Sequence, residues 1–299
     1  MACAVDLARK TGAALTLVDA IDTAPGGPAP LAASVEQDVI DFHRARLTDL
    51  ALRARAQGIE VTEAVLHGSP SVEVIRMVLR EGHDTVIKGA SVAEDGQGVL
   101  TGIDMHLLRS CPCPVWMLMR ATDAAPSTIL AAVAAADPAD TVRAGLDRKV
   151  LDLAAGLGDD GDDGDGDGGR LRVIHAWSLP GEHALRHGRF TTDGKGDVDA
   201  LVAQERQAAE ARLKSLVADH PQVARDAIVL AQGAPGTVIA AHAEAAGVDT
   251  IVMGTVGRTG VPGFVIGTTA ETILGRVACS VIALKPEGFV SPVTLDRIG

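Results

Sequence analysis

The residues best suited to chemistry lie in the segment MGTVGRTGVPGFVIGTTAETIL, residues 253–274. Three glycines spaced G-x2-G-x9-G and two threonines stand out in it, namely Gly254, Gly257, Gly267, Thr268 and Thr269. Glycine permits positive φ and close backbone approach, so consecutive amide N–H groups in such a loop can face an anion. A helix that begins directly after the last glycine adds further unpaired N–H groups. The spacing therefore predicts a phosphate-binding loop.

This glycine pattern indicates binding rather than catalysis. No Gly-Lys-Ser or Gly-Lys-Thr follows the glycines, so the loop is not a Walker A loop, and its spacing is not G-x-G-x-x-G. Without the lysine and a magnesium-binding partner, rapid phosphoryl transfer is not expected. No G-x-S-x-G elbow joins the Ser, His and Asp residues into a hydrolase signature. We therefore predict no catalytic residues.

Two other clusters contain residues of metal-ligand type. Cys111 and Cys113 form a C-P-C-P run near His106, but the usual zinc spacings are absent, which favours buried thiols at a strand edge. The stretch 158–169, GDDGDDGDGDGG, opens like a calcium loop at Asp163, yet its twelfth position is Ile174 instead of a bidentate glutamate. A flexible acidic surface loop is the favoured alternative there. No metal site is predicted.

Alternating elements surround the glycine segment. In the second half, apolar runs predict strands at 128–134, 171–177, 227–233, 250–255 and 280–286. Helical patterns fall between them, at 147–157, 198–220, 235–247 and 267–277. Strands that alternate with helices imply βαβ crossovers and a parallel sheet. The glycine loop then lies at the carboxyl end of a strand, where open α/β sheets bind ligands.

The same order occurs twice in the chain. Residues 68–91 align with 233–256 at an offset of 165 without a gap, and the offset continues beyond both segments. The matched pairs are Gly68 with Gly233, Pro70 with Pro235, Gly82 with Gly247, Asp84 with Asp249, Gly89 with Gly254, and Gly102 with Gly267. This predicts a duplication with domains at 1–122 and 127–290.

The first half begins late. Residues 14–20 match the second strand of the other half, and only a helix-like stretch at 4–12 precedes them. The first strand therefore has no counterpart in this half, which we attribute either to a start placed too far downstream or to a truncated product. The predicted fold is two tandem Rossmann-like α/β domains with parallel five-stranded sheets, the first domain lacking its first strand.

Composition narrows the class of partner. A net charge of −12 and a pI near 5.1 argue against nucleic acid, which requires clustered basic residues. No apolar run approaches the roughly 20 residues needed to cross a bilayer, and Asp6, Arg9 and Lys10 do not suit a signal peptide. Four irregularly spaced cysteines fit a reducing compartment. The expectation is a cytoplasmic protein that binds neither nucleic acid nor membrane.

The motifs together resemble a known family. G-x2-G-x9-G-T after a strand, with GTVGRTG, the T-A-E of 269–271, CPCPVW at 111–116 and KPEGFVSPVTLD at 285–296, resembles the tandem E-type members of the universal stress protein family. The resemblance implies ATP or AMP bound in the C-terminal domain alone, with no metal beyond nucleotide-associated Mg²⁺. It also implies domains paired through their last strands, and it allows a homodimer. The implied nucleotide-binding residues are Met253, Gly254, Gly257, Arg258, Gly267, Thr268 and Thr269.

The sequence also departs from the family pattern. An Asp usually ends the first strand of nucleotide-binding members, and Ala134 stands there instead, with Asp137 three residues on. In the first half, Val92 and Ile103 replace motif residues, so that half is expected to bind no nucleotide. His175 could touch an adenine ring, although a core histidine is favoured.

Three functions therefore compete. The first is a stress-response protein that binds an adenine nucleotide in a regulatory role, with hydrolysis slow or absent. The second is a nucleotide-free interaction scaffold, which Ala134 favours. The third, an ATPase or nucleotidyl transferase, lacks an identifiable base, nucleophile or metal pair. The first is preferred because the glycine motif is intact.

Overall fold

A computed structural model describes residues 1–23, 33–92, 98–119, 126–158, 171–187, 195–255 and 266–295. The acidic stretch 158–169 beyond Gly158, and the loop 256–265 with Gly257 and Arg258, lie outside the described residues. The chain divides into two compact units. Unit 1 comprises Met1–Ala125 and Val290–Gly299, and unit 2 comprises Pro126–Phe289.

Unit 1 begins with a helix and then alternates strands and helices. Its helices are α1 (Ala2–Thr11), α2 (Ala33–Arg55), α3 (Pro70–Glu81) and α4 (Gly102–Ser110). Its strands are β1 (Leu15–Asp22), β2 (Val61–Gly68), β3 (Val86–Gly89), β4 (Ser91–Val92), β5 (Gly98–Val99) and β6 (Val115–Leu118). β1 pairs with β2 in parallel, β3 pairs with β6 in parallel, and β4 pairs with β5 in antiparallel fashion.

Unit 2 contains a parallel sheet of five strands in the order β9-β8-β7-β10-β11. These strands are β7 (Ile129–Val133), β8 (Leu171–Trp177), β9 (Ile228–Gln232), β10 (Thr250–Gly254) and β11 (Ser280–Leu284). The helices are α5 (Thr141–Gly158), α6 (Glu182–His187), α7 (Lys195–Val217), α8 (Pro235–Ala245) and α9 (Thr268–Leu274). β7 is central, and α5 packs against it and against β8, β10 and β11. Among the helices that the structure describes, none is long and apolar enough to cross a membrane.

The sequence prediction placed most of these elements correctly, with two differences in unit 2. Helix α5 begins at Thr141, six residues before the predicted start, because the Asp140 carboxylate accepts a hydrogen bond from the amide of Arg143 (3.1 Å) and caps the first turn. Helix α6 was not predicted, since its six residues are too few to show a helical period.

The duplicated turns have the same conformation in both units. Gly68 and Gly233 have φ of 134° and 138°, and Gly82 and Gly247 have φ of 72° and 62°. All four positions lie in the region that disfavours residues with a Cβ, which explains why glycine occupies both copies. The helix that follows the first glycine of each copy begins with proline, Pro70 in α3 and Pro235 in α8.

Unit 1 has no counterpart of the central strand β7 among its described residues, as predicted. β1 and β3, which correspond to the strands flanking β7, each have one strand partner within unit 1. The consequence is visible in burial, because seven of the eight β1 residues are half-buried, whereas six of the seven residues of β8 are fully buried. A small core beneath β1 and β2 compensates in part, formed by Val5, Ala8, Ala51, Ala54, Ile59 and Val61.

β1 has one partner strand among the described residues, and this should be visible in hydrogen exchange. Among the described strands, β1 pairs with β2 alone, so alternate amides of β1 are expected to exchange with the kinetics of an exposed edge. Those of β8, which pairs with both β7 and β9, should be protected. Exchange followed by mass spectrometry or NMR on the full chain measures both strands in one sample. Equal protection of β1 and β8 would show that β1 is covered on both edges.

Candidate functional site

The described part of the predicted site lies at the carboxyl end of the unit 2 sheet. β10 ends at Gly254, and α9 begins at Thr268 as predicted. Met253 is buried, and its backbone lies in register between Ala132 of β7 and Ala283 of β11. Met253 is thus the last residue of β10 that pairs with both neighbouring strands. Gly257 and Arg258 belong to the loop outside the described residues.

Gly254 leaves space for a side chain of the neighbouring helix α5. A Cβ built on this residue would lie 2.5 Å from Cδ2 of Leu146 on α5, far inside van der Waals contact. The absence of a side chain therefore lets α5 approach the end of β10. The motif predicts that the missing side chain lets a ligand approach. In the structure, it lets Leu146 of α5 pack against the end of β10.

The two ends of the 256–265 loop are fastened to each other. The amide of Gly267 donates to the carbonyl of Thr255 (2.9 Å), so this amide is already satisfied inside the protein. Thr255, almost fully buried, donates from its amide (3.0 Å) and its hydroxyl (3.1 Å) to the carbonyl of Leu284. Gly267 therefore closes the loop instead of presenting its N–H to a ligand.

A buried lysine completes this fastening. Nζ of Lys285 donates to Oγ1 of Thr255 at 2.6 Å and lies 5.2 Å from the centroid of the Phe289 ring. Lys285 is only 8% exposed, so its charge depends on nearby protein groups for compensation. Sequence reasoning did not assign a role to Thr255 or Lys285, although both lie in the segments that carried the family resemblance.

The start of α9 leaves polar groups exposed. Thr268 and Thr269 are exposed, and the N-cap residue Gly267 provides no side chain to cap the helix. The hydroxyl of Thr272 donates back to the carbonyl of Thr268 (2.7 Å), so it is engaged within the helix. The exposed polar side chains of this first turn are therefore two hydroxyls, on Thr268 and Thr269, and one carboxylate, on Glu271.

The end of β7 is shaped by a buried carboxylate. Asp147 on α5 accepts hydrogen bonds from the amides of Ala134 (2.7 Å) and Ala136 (2.9 Å) and is 4% exposed. Burial raises the pKa of Asp147, although the two amides act in the opposite direction. Between them, Ala135 has a φ of 42°, a conformation that few residues with a Cβ adopt. Ala134 itself is exposed at the sheet edge.

Neighbouring side chains hold the same turn. Nδ1 of His175 lies 3.2 Å from the carbonyl of Val133, and Nε of Arg212 donates to the carbonyl of Ala135 (3.2 Å). His175 is a buried, hydrogen-bonded histidine of the core, and burial lowers its pKa, with the Arg212 charge adding to the effect. Asp137 is exposed, and its carboxylate accepts the amide of Ala139 in its own loop (2.9 Å).

Unit 1 fills the corresponding place with its own charges. The offset of 165 relates Lys88 to Met253 and Asp104 to Thr269. Asp104 is fully buried, and its Oδ2 accepts hydrogen bonds from the amide (2.7 Å) and the hydroxyl (2.8 Å) of Thr101. Nζ of Lys88 lies 2.6 Å from Oδ1 of the same carboxylate. A carboxylate thus occupies the helix start where a phosphate would be expected.

The fold defines a class of protein, a tandem Rossmann-like α/β protein. The model of the Universal stress protein family matches residues 2–118 and 151–285. The chain therefore belongs to the universal stress protein family, and both halves carry the repeat.

Individual relatives agree with this assignment. Universal stress protein E of Escherichia coli K12 is 27% identical over 269 residues, which covers 88% of this chain and 80% of that protein. A crystal structure of a functionally unknown protein from Pseudomonas aeruginosa PAO1 superposes with a TM-score of 0.71 at 24% identity, over 96% of this chain and 87% of the other. A universal stress protein from Archaeoglobus fulgidus superposes with a TM-score of 0.62 at 19% identity, over 95% and 92% of the two chains. The two superpositions establish the fold.

Removal of the Lys285 ammonium should weaken unit 2. Lys285→Met leaves the buried hydroxyl of Thr255 without its charged donor, so we expect a loss of about 1.5–3 kcal/mol in the free energy of unfolding. Urea unfolding followed by circular dichroism measures it. Lys214→Met, at a lysine whose side chain is 70% exposed, is the control and should cost little. If Thr255→Val and Lys285→Met prove additive in the double variant, the two side chains do not interact.

His175 should make stability fall in acid. Its pKa is lowered in the folded state, so the neutral form is favoured and the stabilisation is complete above the unfolded pKa of about 6.5. As the pH falls from there through the folded pKa, stability should drop by at most about 1.4 kcal/mol per pH unit for this one proton. His175→Asn keeps a donor and should flatten the profile between pH 7 and 5. The exposed His183→Asn is the control; identical profiles for His175→Asn and wild type would contradict the assignment.

Proposed function

We propose that unit 2 binds an adenine nucleotide, ATP or AMP, at the carboxyl edge formed by the end of β10 and the start of α9. The proposal retains Met253, Gly254, Gly257, Arg258, Gly267, Thr268 and Thr269 as the site residues. One observation carries it: at the position where unit 1 buries Asp104, unit 2 has the exposed, uncharged Thr269. Unit 2 therefore has no carboxylate at the position where unit 1 supplies its own anion.

The chemistry of this edge suits phosphate. Hydroxyl groups donate to phosphate oxygens, as do the unpaired amides at a helix start, and no carboxylate occupies the position of Thr269 to repel a polyanion. Gly267 contributes by joining the loop ends, and Thr268 and Thr269 contribute donors. Any Mg²⁺ would arrive with the nucleotide and add charge neutralisation there.

The affinity is expected to be modest. Ala134 is exposed at the edge and offers no acceptor, while Asp147 behind it is buried and committed to two amides. Loss of one charged hydrogen bond corresponds to about ten-fold to hundred-fold in affinity. Such a site suits a regulatory protein that responds to nucleotide level, with hydrolysis slow or absent.

A scaffold without nucleotide is the second candidate, and Gly267 favours it. The amide of Gly267 is already bonded to Thr255, so part of the predicted phosphate cradle is used to shape the loop. In that case, both units would act through their surfaces, with the domains paired through their last strands or with a second copy of the chain.

Titration calorimetry with ATP and with AMP separates the two candidates. We expect weak binding by the wild type and tighter binding, by about ten-fold to hundred-fold, for Ala134→Asp, which restores a charged acceptor at the exposed edge. Thr269→Asp should abolish binding, because it places at the start of α9 a carboxylate that corresponds to Asp104 in unit 1.

The charge change in Thr269→Asp has a matched control. Thr269→Asn is neutral and of the same size, and it should bind within a few-fold of wild type. An acidic residue in the first turn favours a helix, so Thr269→Asp is expected to fold at least as well as wild type. The nucleotide proposal fails if neither wild type nor Ala134→Asp produces heat with either ligand; steady ADP release would overturn the purely binding role.

A further inference from the structure

Two thiols of unit 1 lie in contact. Sγ of Cys111 and Sγ of Cys113 are 3.5 Å apart, and both cysteines are in the reduced form. Cys111 ends helix α4, where its amide donates to the carbonyl of Leu107 (2.9 Å), and it is fully buried. Cys113 is half-buried, so it is the more accessible cysteine of the pair.

The backbone brings these sulfurs together. Pro112 separates the two cysteines and Pro114 follows them, and each proline fixes its own φ near −65°. The chain bends at Pro112 and Cys113 between the end of α4 and the start of β6 at Val115. A disulfide has an S–S length of about 2.05 Å, so the sulfurs need to approach by about 1.5 Å, which side-chain rotation can supply.

We propose that Cys111 and Cys113 form an oxidation site that closes to an intramolecular disulfide in the presence of hydrogen peroxide. The Cys113 thiolate attacks one peroxide oxygen; the O–O bond breaks, the other oxygen leaves as water after protonation, and Cys113 becomes a sulfenic acid. The thiol of Cys111 then attacks the Cys113 sulfur, the S–O bond breaks, and a second water leaves. The two thiols lose two electrons and two protons, and the peroxide is reduced to two waters.

The surroundings make this site slow and reversible. The hydrogen bond with Cys111, burial and the nearby Asp84 charge all raise the pKa of Cys113, so little thiolate exists at neutral pH. The rate should therefore rise about ten-fold per pH unit on the alkaline side of neutrality. A disulfide between residues two apart closes a small, strained ring, which makes it easily reduced.

The pair is better suited to oxidation than to metal binding. Within the ranges that the structure describes, no three His, Cys, Asp or Glu side chains are grouped as a metal site would need. His106, the third ligand that the sequence suggested, is engaged by Ser71, whose Oγ lies 2.7 Å from Nδ1. A disulfide needs only the two sulfurs, which are already in contact.

Mass spectrometry tests the site directly. Trypsin cuts after Arg109 and Arg120 and releases a peptide of residues 110–120 that contains both cysteines. After peroxide treatment of the full chain and blocking of the remaining thiols, this peptide should be lighter by two hydrogens and carry no blocking group. Dithiothreitol should restore both blockable thiols. Cys279→Ser, at the half-buried cysteine of unit 2, should leave the result unchanged.

Three outcomes would overturn the proposal. They are a 110–120 peptide that keeps two blockable thiols while Cys279 oxidises, a disulfide between chains, and oxidation of Cys113 that stops at sulfinic acid. Cys111→Ser should leave Cys113 as a sulfenic acid that a dimedone probe traps, and the wild-type measurement decides the question even if that variant folds poorly. A rate that does not increase between pH 7 and 9 would contradict attack by the Cys113 thiolate.

Discussion

The structure of unit 2 depends on the central strand β7 being fixed at both ends. At its start, one carboxylate oxygen of Asp249 accepts hydrogen bonds from the amide and hydroxyl of Ser127 (both 2.7 Å) and from the amide of Thr128 (2.9 Å). At its end, Asp147 accepts the amides of Ala134 and Ala136. β7 pairs with β8 on one side and with β10 on the other. By fixing β7, the two carboxylates therefore also help to position β10, whose end forms part of the proposed site.

Unit 1 reveals how the repeat behaves without this strand. Asp84 matches Asp249 at the offset of 165, yet unit 1 has no described strand in the place of β7 for it to bind. β1 is left half-buried, and the helices α2 and α3 and the N-terminal helix α1 supply much of its packing. Unit 1 therefore relies on local helix contacts around β1 and on the ion pair of Lys88 and Asp104 at the start of α4.

Much of the fold could be predicted from the sequence because its signals are local. The glycines at 68 and 233 follow from a backbone conformation that glycine tolerates, and the proline that starts α3 suits a first helical turn. The site was harder to predict because its decisive contacts join distant residues. The bond from Gly267 to Thr255 and the approach of Leu146 to Gly254 depend on the packed sheet, and a glycine pattern cannot distinguish them from ligand contacts.

The starts of α4 in unit 1 and α9 in unit 2 both attract negative charge, but the residues that face this charge differ. The start of a helix near the end of a parallel strand attracts negative charge, because unpaired amides point outward there. In unit 1, the buried Asp104 supplies that charge and is paired with the partly exposed Lys88. In unit 2, the neutral Thr269 holds the position of Asp104, and the acidic residue of this first turn, Glu271, lies two residues further along α9. The residue at position 269 therefore distinguishes the two helix starts better than the glycines do, because Gly89 and Gly102 of unit 1 match Gly254 and Gly267 of unit 2.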